Sequence, residues 1–373
     1  MFWGILFGGL FFLCLAIFYL LVRSVQKFHF VFVLSHKGKI ASWLLSATII
    51  LLPFAFIWMT WGYMNAIIIL LHFAVFWSIA ACVQWVVQKR RKKSFCRYYA
   101  GIAAVLVTIL YLGMGFIQAH HVWQTDYTVT TVKNVGSLRI ALLADSHVGT
   151  TFDGKGMASY IARIQEQKPD VIVIAGDFVD EDTSREDMVA ACQALGQADT
   201  PYGIYYIFGN HDKGLYANGQ RGYNGDDLIA ELEKNGVIVL QDEIVLIDDR
   251  FYLVGRQDAS EETDFGGRRA KIADLTKNLD KDTYTIVLDH QPNDYDAEAA
   301  SGADLVLSGH THGGQMIPLK QLMRLFPIGY DNVYGLERKE KTNFIVTSGI
   351  SDWAIQFKTG CRSEYVMITI QGK

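Results

Sequence analysis

Five short clusters of Asp, Asn and His side chains could bind metal ions. Every histidine beyond His121 belongs to one of them. In chain order they are Asp145-Ser146-His147, Gly176-Asp177-Phe178-Val179-Asp180, Gly209-Asn210-His211-Asp212, Asp289-His290-Gln291-Pro292 and Ser308-Gly309-His310-Thr311-His312-Gly313-Gly314-Gln315. Carboxylate and imidazole groups without a thiolate are typical ligands of divalent ions such as Mn, Fe or Zn. His310 and His312 are two residues apart on an extended loop, so they point in different directions and can serve two different ions.

Each cluster directly follows a short apolar run that predicts a buried strand. The runs are rich in Val, Ile, Leu or Tyr and too short for helices, and they lie at residues 138–144, 171–175, 203–208, 284–288 and 303–307. Amphipathic stretches that predict helices lie between them, at residues 156–168, 185–198, 226–235 and 268–278. This alternation predicts an α/β domain. Because ligand sites in open α/β sheets form beyond the carboxyl ends of strands, we expect the five clusters to converge.

Taken one at a time, the clusters are weak signals. Asp-x-His is common at strand-end turns, Gly-Asn-His-Asp is as often a turn as a site, and Gly-His-Thr-His-Gly-Gly could be a structural pair of histidines. The ordered set of five, each at a strand end, favours a metal site. Other catalytic classes are disfavoured, since the chain has no Gly-x-Ser-x-Gly, and Asp153-Gly154-Lys155-Gly156 is not a P-loop.

The ordered set resembles the calcineurin-like metallophosphoesterase superfamily. The family motifs Asp-x-His, Gly-Asp-x-x-Asp, Gly-Asn-His-Asp/Glu, a lone His and Gly-His-x-His are all present between residues 138 and 370. The Gly-Gly-Gln tail and the later Ser348-Gly349 and Gly360-to-Glu364 stretch are most similar to the membrane-associated bacterial branch, which includes lipid and UDP-diacylglucosamine-type phosphohydrolases. The chain has Arg362 and Ser363 where that branch usually has two prolines. The resemblance implies two packed mixed β-sheets flanked by helices.

The resemblance also implies a pair of metal ions and the residues that hold them. The ligands of the first metal correspond to Asp145, His147 and His312. Those of the second correspond to Asn210, His290 and His310, and Asp177 bridges the pair. Manganese is favoured, with iron, zinc or a mixed pair as alternatives. Two such ions about 3.5–4 Å apart can activate a bridging water and hold the phosphoryl oxygens during in-line displacement.

Two further residues resemble the family's proton-transfer pair. His211 resembles the histidine that faces the scissile phosphate, and Asp180 resembles the carboxylate that orients it. A histidine in that place can give a proton to the leaving oxygen. The implied enzyme is a metal-dependent phosphoesterase; cleavage of a monoester, a diester or a pyrophosphate is left open.

The first 121 residues differ sharply from the rest, with ten Lys and Arg and no Asp or Glu. Four apolar runs there have about the 20 residues that cross a hydrocarbon core of about 30 Å, and they predict transmembrane helices at residues 2–22, 40–61, 64–87 and 98–119. No Asp, Glu, Lys or Arg lies in mid-span, which favours an anchor over a transporter, and His72 is more typical of a packed histidine than of a proton relay. We predict an all-α transmembrane domain (residues 1–121), a connector (122–136) and the α/β domain (137–373).

The basic residues predict how this domain is oriented. They occur after the first run, at Arg23, Lys27, Lys37 and Lys39, and after the third, at residues 89–93 and Arg97. If all four runs span, both basic loops lie on the same side, which the positive-inside rule makes cytoplasmic. The chain is then a multi-pass membrane protein with an extracytoplasmic catalytic domain.

Location and charge suggest the substrate class. Beyond residue 121 the chain holds 24 basic and 38 acidic residues, a formal charge of −14, which disfavours nucleic acid as a partner. We expect an amphiphilic or lipid-linked phosphate. Residues 316–334 could admit it from the bilayer, or could be an ordinary packing loop; the segment carries Leu319, Lys320, Leu322, Met323, Arg324, Leu325, Phe326 and Ile328. Headgroup contacts, or else solvated surface residues, are expected at Arg221, Arg256, Arg268 and Arg269.

Two alternative functions stay open at this point. The domain could be a phosphodiesterase for soluble nucleotide-type substrates, or a non-catalytic sensor or scaffold attached to a membrane bundle. The intact set of ligand positions disfavours the second alternative. Cys192 and Cys361 are expected to be separate thiols rather than a disulfide, and the sequence does not indicate an oligomeric state.

Overall fold

The computed structural model describes residues 2–95, 97–217, 221–325 and 329–373. They form two compact units. The first contains the residues up to Gly115 together with Ala354–Gln356, and the second contains Phe116–Trp353 and Phe357–Lys373.

The N-terminal unit is helical. Its helices are α1 (Phe2–Val25), α2 (His29–Lys37), α3 (Lys39–Arg91) and α4 (Tyr99–His120), although the second unit includes the last turn of α4. The chain bends by 86° between α1 and α2. Helix α3 joins the predicted second and third spans, with a break at Gly62 (φ 82°, ψ 164°), a conformation that suits a residue without Cβ.

The number of spans differs from the prediction. Within the described residues, α3 and α4 are long and apolar enough to cross a membrane, and α1 with α2 makes a third span if the bent pair counts as one. Four separate spans are therefore not confirmed. Each side of Gly62 within α3 is still longer than the roughly 20 residues that one crossing needs. His72 is packed as expected: its Nδ1 lies 2.8 Å from the carbonyl oxygen of Ile68 and its ring stacks on Tyr111.

The C-terminal unit alternates strands and helices. In chain order the elements are β1 (Trp123–Thr130), β2 (Ser137–Leu143), α5 (Gly154–Glu166), β3 (Val171–Ala175), α6 (Arg185–Leu195), β4 (Ile204–Ile207), α7 (Gly225–Lys234), β5 (Val237–Val239), β6 (Glu243–Ile247), β7 (Phe251–Gly255), α8 (Ser260–Thr263), α9 (Ile272–Thr276), β8 (Tyr284–Leu288), α10 (Tyr295–Ala300), β9 (Leu305–Ser308), a 3-10 turn (His312–Gly314), α11 (Leu319–Leu325), β10 (Gly335–Lys339), β11 (Thr342–Val346) and β12 (Glu364–Gln371).

The described strands form two mixed sheets of six strands each. Their orders are β1-β12-β2-β3-β4-β5 and β10-β11-β9-β8-β7-β6. In the first sheet β2 to β5 run parallel, and β12 is antiparallel to β2. In the second, β7, β8, β9 and β11 run parallel between antiparallel edge strands β6 and β10. The predicted α/β domain with two mixed sheets is confirmed.

Side-chain alternation along β2 shows how the layers pack. Leu138, Ile140 and Leu142 point into an apolar core shared with β7, β8 and β9 of the second sheet. Ala141 and Leu143 point to the other face, where α5, α6 and α7 cover the first sheet. This period of two is the pattern of a strand buried on both faces. Complete burial of each leucine contributes about 1.5–3 kcal/mol to the stability of the fold.

The five predicted strands are present as β2, β3, β4, β8 and β9, and three of the four predicted helices as α5, α6 and α7. The fourth, at residues 268–278, is helical only over Ile272–Thr276. The predicted connector was wrong in part, since it contains β1, which pairs in parallel with β12. Most of β1 is exposed or half-buried, so no apolar pattern marked it. Cys192 and Cys361 are free thiols, as expected.

Candidate metal centre

The loops after β2, β3, β8 and β9 bring together two groups of possible metal ligands. The ligand atoms within each group all lie within 4.8 Å of one another. The first group consists of Asp145, His147 and His312, and the second of Asp177, His290 and His310. The structure thus assembles six of the seven ligands expected from the sequence. Asn210, the seventh, follows β4 and is 8% exposed.

Asp177 lies between the two groups. Its Oδ2 is 3.0 Å from Nε2 of His290 in its own group and 3.8 Å from Nε2 of His147 in the other. Its Oδ1 accepts a hydrogen bond of 2.9 Å from the backbone N–H of His211. A carboxylate that faces both groups is placed to bridge two cations.

Several buried polar atoms at this site lack a protein partner. Within the described parts of the chain, Nε2 of His147, Oδ1 of Asn210 and Nδ1 of His312 are buried and accept or donate no hydrogen bond. A buried polar group left unpaired costs about 1–3 kcal/mol, so three of them in one place indicate a ligand. Imidazole nitrogen and amide or carboxylate oxygen suit divalent transition metals. The residues therefore fit a pair of divalent ions.

The electrostatics of the site also favour cations. Burial opposes protonation of His147, but Asp180, Asp177 and Asp145 outweigh it and raise the pKa of His147 to about 9. Burial also opposes protonation of His290, yet the neighbouring Asp177 raises its pKa well above the usual range. A divalent cation binds the deprotonated imidazole nitrogen, so it would displace these protons and neutralise the same carboxylates.

The backbone turns sharply where the strands end. Asp145, His147, Asp177, His310 and His312 all have positive φ angles, between 36° and 70°. Non-glycine residues rarely adopt this conformation, which costs about 1–3 kcal/mol per residue and is concentrated at functional sites. The surrounding sheets hold these residues in place, and their side chains turn toward one another.

Two of the loops are locked together by Asp212 and Gly209. The buried carboxylate of Asp212 accepts hydrogen bonds from the backbone N–H groups of Asp177, Phe178, Val179 and Gly209 at 2.7–3.0 Å. A Cβ atom on Gly209 would lie 2.5 Å from the backbone nitrogen of Asp177. Only glycine permits this approach, so the loop after β4 fixes the position of Asp177.

Groups outside the ligand set hold two of the imidazole rings. Nδ1 of His290 lies 2.7 Å from the carbonyl oxygen of Ala175, which leaves Nε2 facing Asp177. Nε2 of His310 lies 2.7 Å from the hydroxyl of Tyr330. Such partners fix the tautomer and orientation of metal-binding histidines. The role of Tyr330 could not be predicted from the sequence, because the residue lies outside every motif.

A buried ion pair lies behind His312. Oδ1 of Asp352 is 3.7 Å from Nδ1 of His312 and 3.3 Å from Nζ of Lys358. Both Asp352 and Lys358 are completely buried, and Nε2 of Gln315 donates a 3.1 Å hydrogen bond to the same carboxylate oxygen. Sequence reasoning missed this pair, since the late Ser-Gly and Gly-Cys stretch flanks it without containing it.

The predicted role of Asp180 is corrected by the geometry. Its Oδ2 lies 3.3 Å from Nδ1 of His147, and its Oδ1 accepts hydrogen bonds from the backbone of Asp182 and Thr183. The carboxylate next to His211 is that of Glu181, whose Oε2 lies 2.9 Å from Nδ1 of His211. Asp180 thus supports a metal-ligand histidine, and Glu181 takes the place that the resemblance gave to Asp180.

Two of the four arginines suggested as headgroup contacts are structural. Arg221, 6% exposed, donates hydrogen bonds to the carbonyl oxygens of Asp180, His211 and Asp212, so it ties the two loops together. Arg256, 3% exposed, pairs with three carboxylates. Neither is a solvated surface residue or a group free to meet a substrate.

The other two arginines, Arg268 and Arg269, differ in their surroundings. Arg269 is paired with Asp289, the residue that precedes a predicted metal ligand. Arg268 is exposed. Of the four, Arg268 alone keeps the solvated surface position that the sequence analysis allowed.

Comparison with known proteins agrees with the geometry. Residues 138–314 match the family model described as calcineurin-like phosphoesterase. The chain is 30% identical over 258 residues to an uncharacterized metallophosphoesterase of Campylobacter jejuni, covering 69% of this chain and 65% of that protein. It is 29% identical over 290 residues to a protein of Bos taurus named transmembrane protein with metallophosphoesterase domain, covering 72% of this chain and 62% of that one.

Among solved structures, a dimetal phosphatase from Danio rerio is similar with a TM-score of 0.37 and 11% identity, covering 64% of this chain and 93% of the other. The chain spans 58–65% of the length of the first three curated relatives that it matches. The matched segment contains β2 to β9 with four of the five ligand-bearing loops, and it ends within the fifth. Residues 138–314 therefore form a calcineurin-like metallophosphoesterase domain.

Proposed function

We propose that this protein is a membrane-anchored phosphohydrolase that uses two divalent metal ions to cleave a phosphoester or pyrophosphate bond of an amphiphilic, lipid-linked substrate. The observation that carries the two-metal proposal is the position of Asp177, whose carboxylate faces both groups of buried ligands. Manganese is the proposed ion. The combination of carboxylate, amide and imidazole ligands suits it, and suits iron and zinc as well.

The chemistry follows from the placement of the side chains. The bound ions would neutralise the phosphoryl oxygens and activate a water molecule for in-line attack. His211 lies beside the ligand groups, with its ring 5.1 Å from the ring of His147. From there it can transfer a proton to the leaving oxygen as the bond to phosphorus breaks. Asp180 would orient His147.

Helix α11 supports a lipid-linked substrate. It follows the His310 and His312 loop directly and packs against it. Its leucines are unusually exposed, with Leu319 at 45%, Leu322 at 43% and Leu325 at 72%. Nζ of Lys320 lies over the ring of Tyr334. An exposed apolar helix with a basic residue is typical of segments that lie in a membrane interface. Two further apolar residues of the predicted segment, Phe326 and Ile328, lie outside the described residues.

The lipid proposal is tested by introducing charge on this helix. We expect the detergent-solubilised protein with Mn²⁺ to release phosphate from phosphatidic acid or from a lipid pyrophosphate. Complete burial of a leucine is worth about 1.5–3 kcal/mol, so the variant Leu322→Glu/Leu325→Glu should lose about tenfold or more in kcat/KM on these lipids. Its hydrolysis of bis-p-nitrophenyl phosphate should change little, because that substrate needs no apolar helix.

The control for this experiment is Leu246→Glu. Leu246 is a 44% exposed leucine on β6, the edge strand at the opposite edge of the second sheet from β10. The lipid proposal is wrong if the protein cleaves only soluble phosphodiesters, or if Leu246→Glu matches the double variant. Absence of metal-dependent cleavage of every ester would favour the sensor or scaffold function instead.

We also propose that the catalytic domain is extracytoplasmic. The proposal rests on four crossings, with α3 counted as two that meet at the break at Gly62, and on the basic residues at 23–39 and 89–97 lying in cytoplasmic loops. A periplasmic-type reporter such as alkaline phosphatase, fused after Lys373, is then expected to be active, and a GFP fusion at the same position dark. The reverse result would place the domain in the cytoplasm and would contradict the proposal.

A further inference from the structure

A relay of three side chains ends at His211. Nε1–H of Trp353 donates a 2.9 Å hydrogen bond to Oε1 of Glu181, and Oε2 of Glu181 lies 2.9 Å from Nδ1 of His211. The two side chains of the carboxylate–imidazole pair are only 19% and 8% exposed. The indole ring of Trp353 also lies against the imidazole, with centroids 5.0 Å apart.

We propose that Glu181 is the positioning residue for His211 in phosphoester cleavage, and that Trp353 fixes Glu181 in that role. The inference rests on the proposed function and adds to it a pair of residues that the family pattern does not supply. In that pattern the carboxylate is at the place of Asp180. Here Asp180 is already engaged by His147, Thr150, Asp182 and Thr183.

The local backbone explains the exchange of roles. Oδ1 of Asp180 accepts hydrogen bonds from the N–H groups of Asp182 and Thr183, both at 3.0 Å, and closes a tight turn. That turn points Asp180 back toward His147, and the longer side chain of Glu181 extends to His211. Burial raises the pKa of Glu181, but its hydrogen bond to His211, and a smaller one to Trp353, outweigh the effect and leave the pKa below the usual range. Glu181 is therefore a carboxylate when it contacts the ring.

The pairing decides which nitrogen of His211 acts. With Nδ1–H donating to Glu181, Nε2 is the nitrogen available to the substrate. In the bond-breaking step, a water oxygen forms the new bond to phosphorus and the leaving oxygen departs with the electron pair of the old bond. His211 enters the step with both ring nitrogens protonated: its Nε2 proton moves to the leaving oxygen and the ring becomes neutral, while the proton lost by the water passes to solvent, from which Nε2 is protonated again. Glu181 stays ionised throughout and stabilises the charged ring, as the carboxylate of a catalytic triad does.

The test separates positioning of the proton donor from structural damage. We expect Glu181→Ala to lower kcat on phosphatidic acid, whose alkoxide leaving group needs a proton, by about 30- to 100-fold. On p-nitrophenyl phosphate, whose leaving oxygen departs without one, the loss should be below about threefold. KM should hold on both esters, and bound Mn²⁺ per chain should equal that of the wild type. Glu181→Gln and Trp353→Phe should show the same preference with smaller losses.

Two controls complete the design. Glu186→Gln makes the same chemical change at an exposed position on α6 and should leave both rates unchanged. When His211 is already replaced by alanine, the further change Glu181→Ala should not lower kcat on phosphatidic acid any more, because the two residues act as one unit. Equal losses on both esters, full additivity with His211→Ala, or a Glu181→Ala variant as active as Glu186→Gln would each overturn the inference. Failure of the wild-type protein to cleave either ester would instead count against the proposed function.

Discussion

Replacement of Asp177 by asparagine is expected to lower the metal-dependent esterase activity by at least about 10³-fold, since metal ions supply several kcal/mol of transition-state stabilisation. The amide side chain would keep an oxygen for the N–H of His211, which Oδ1 of Asp177 now accepts at 2.9 Å. It would lack the second carboxylate oxygen and the charge that face His290 and His147. Bound Mn²⁺, measured by mass spectrometry of the dialysed protein, should fall from two ions per chain to one or none.

The matched control is Asp274→Asn. The side chain of Asp274 is 67% exposed and only pairs with Lys277 one turn away, at 3.8 Å. This variant should keep both the activity and the metal content of the wild type. Wild-type activity in Asp177→Asn, with its metal content unchanged, would rule out the bridging role and with it the two-metal mechanism.

A second large effect is expected on stability, from Arg256→Met. Nη1 of Arg256 lies 2.7 Å from Asp289, 2.9 Å from Asp294 and 3.3 Å from Glu298. Asp289 and Glu298 are each 1% exposed. Removing one partner of a buried ionic cluster costs about 3–5 kcal/mol, because it leaves buried charges uncompensated. The unfolding temperature of the solubilised protein, followed by a thermal shift assay, should fall by about 10 °C.

The same variant should respond to pH in a defined direction. Burial, with Asp289 nearby, already holds the pKa of Glu298 well above its usual range, against the effect of Arg256. Without Arg256 the folded state binds a proton on Glu298 more tightly than the unfolded state does, so the stability of the variant falls as pH rises. Its deficit relative to wild type should therefore be smaller at pH 5 than at pH 8.

Arg185→Met is the control for that measurement. Arg185 is 60% exposed and pairs with Asp227 at 3.6 Å, and exposed pairs of this kind contribute about 0–1 kcal/mol. Its unfolding temperature should stay close to that of wild type at both pH values. If Arg256→Met behaves like Arg185→Met, the cluster around Asp289 does not stabilise the domain.

Both predictions concern residues whose importance was visible to different degrees in the sequence. Asp177 could be identified from the sequence, because its Gly-Asp-x-x-Asp motif follows an apolar run too short for a helix. Arg256 could not. Its partners Asp289, Asp294 and Glu298 are more than 30 positions away in the chain and meet it only after β7 and β8 pair side by side.

The membrane part shows a second limit of sequence reasoning. Apolar runs indicate that helices form and that they prefer a bilayer. An apolar run can cross the membrane by itself, or it can form only part of a crossing together with a neighbouring helix. Which of the two occurs depends on breaks such as Gly62 and the 86° bend before α2. Composition is nearly the same on both sides of such a break, so the number of crossings, and with it the orientation, stays a prediction.

Sequence reasoning also missed the strands β1 and β12, whose pairing depends on contacts between distant parts of the chain. β12 lies between β1 and β2 in the first sheet, although it is the last strand of the chain. β1 finds its partner more than 200 residues away and is mostly exposed or half-buried. A local pattern carries no record of such a pairing, whereas continuous apolar runs indicate the buried strands β2, β3 and β8.

The sequence by itself determined which side chains could bind metal and that they would converge, because a strand's direction delivers the residues after it to one edge of the sheet. The tertiary structure alone decided which partner each of these side chains contacts. Asp180 turns to His147 because backbone N–H groups hold its other oxygen, and Glu181 reaches His211 in its place. A hydrogen bond requires a donor and acceptor within about 3 Å, a distance that depends on the whole packed fold and is not encoded in the spacing of a motif.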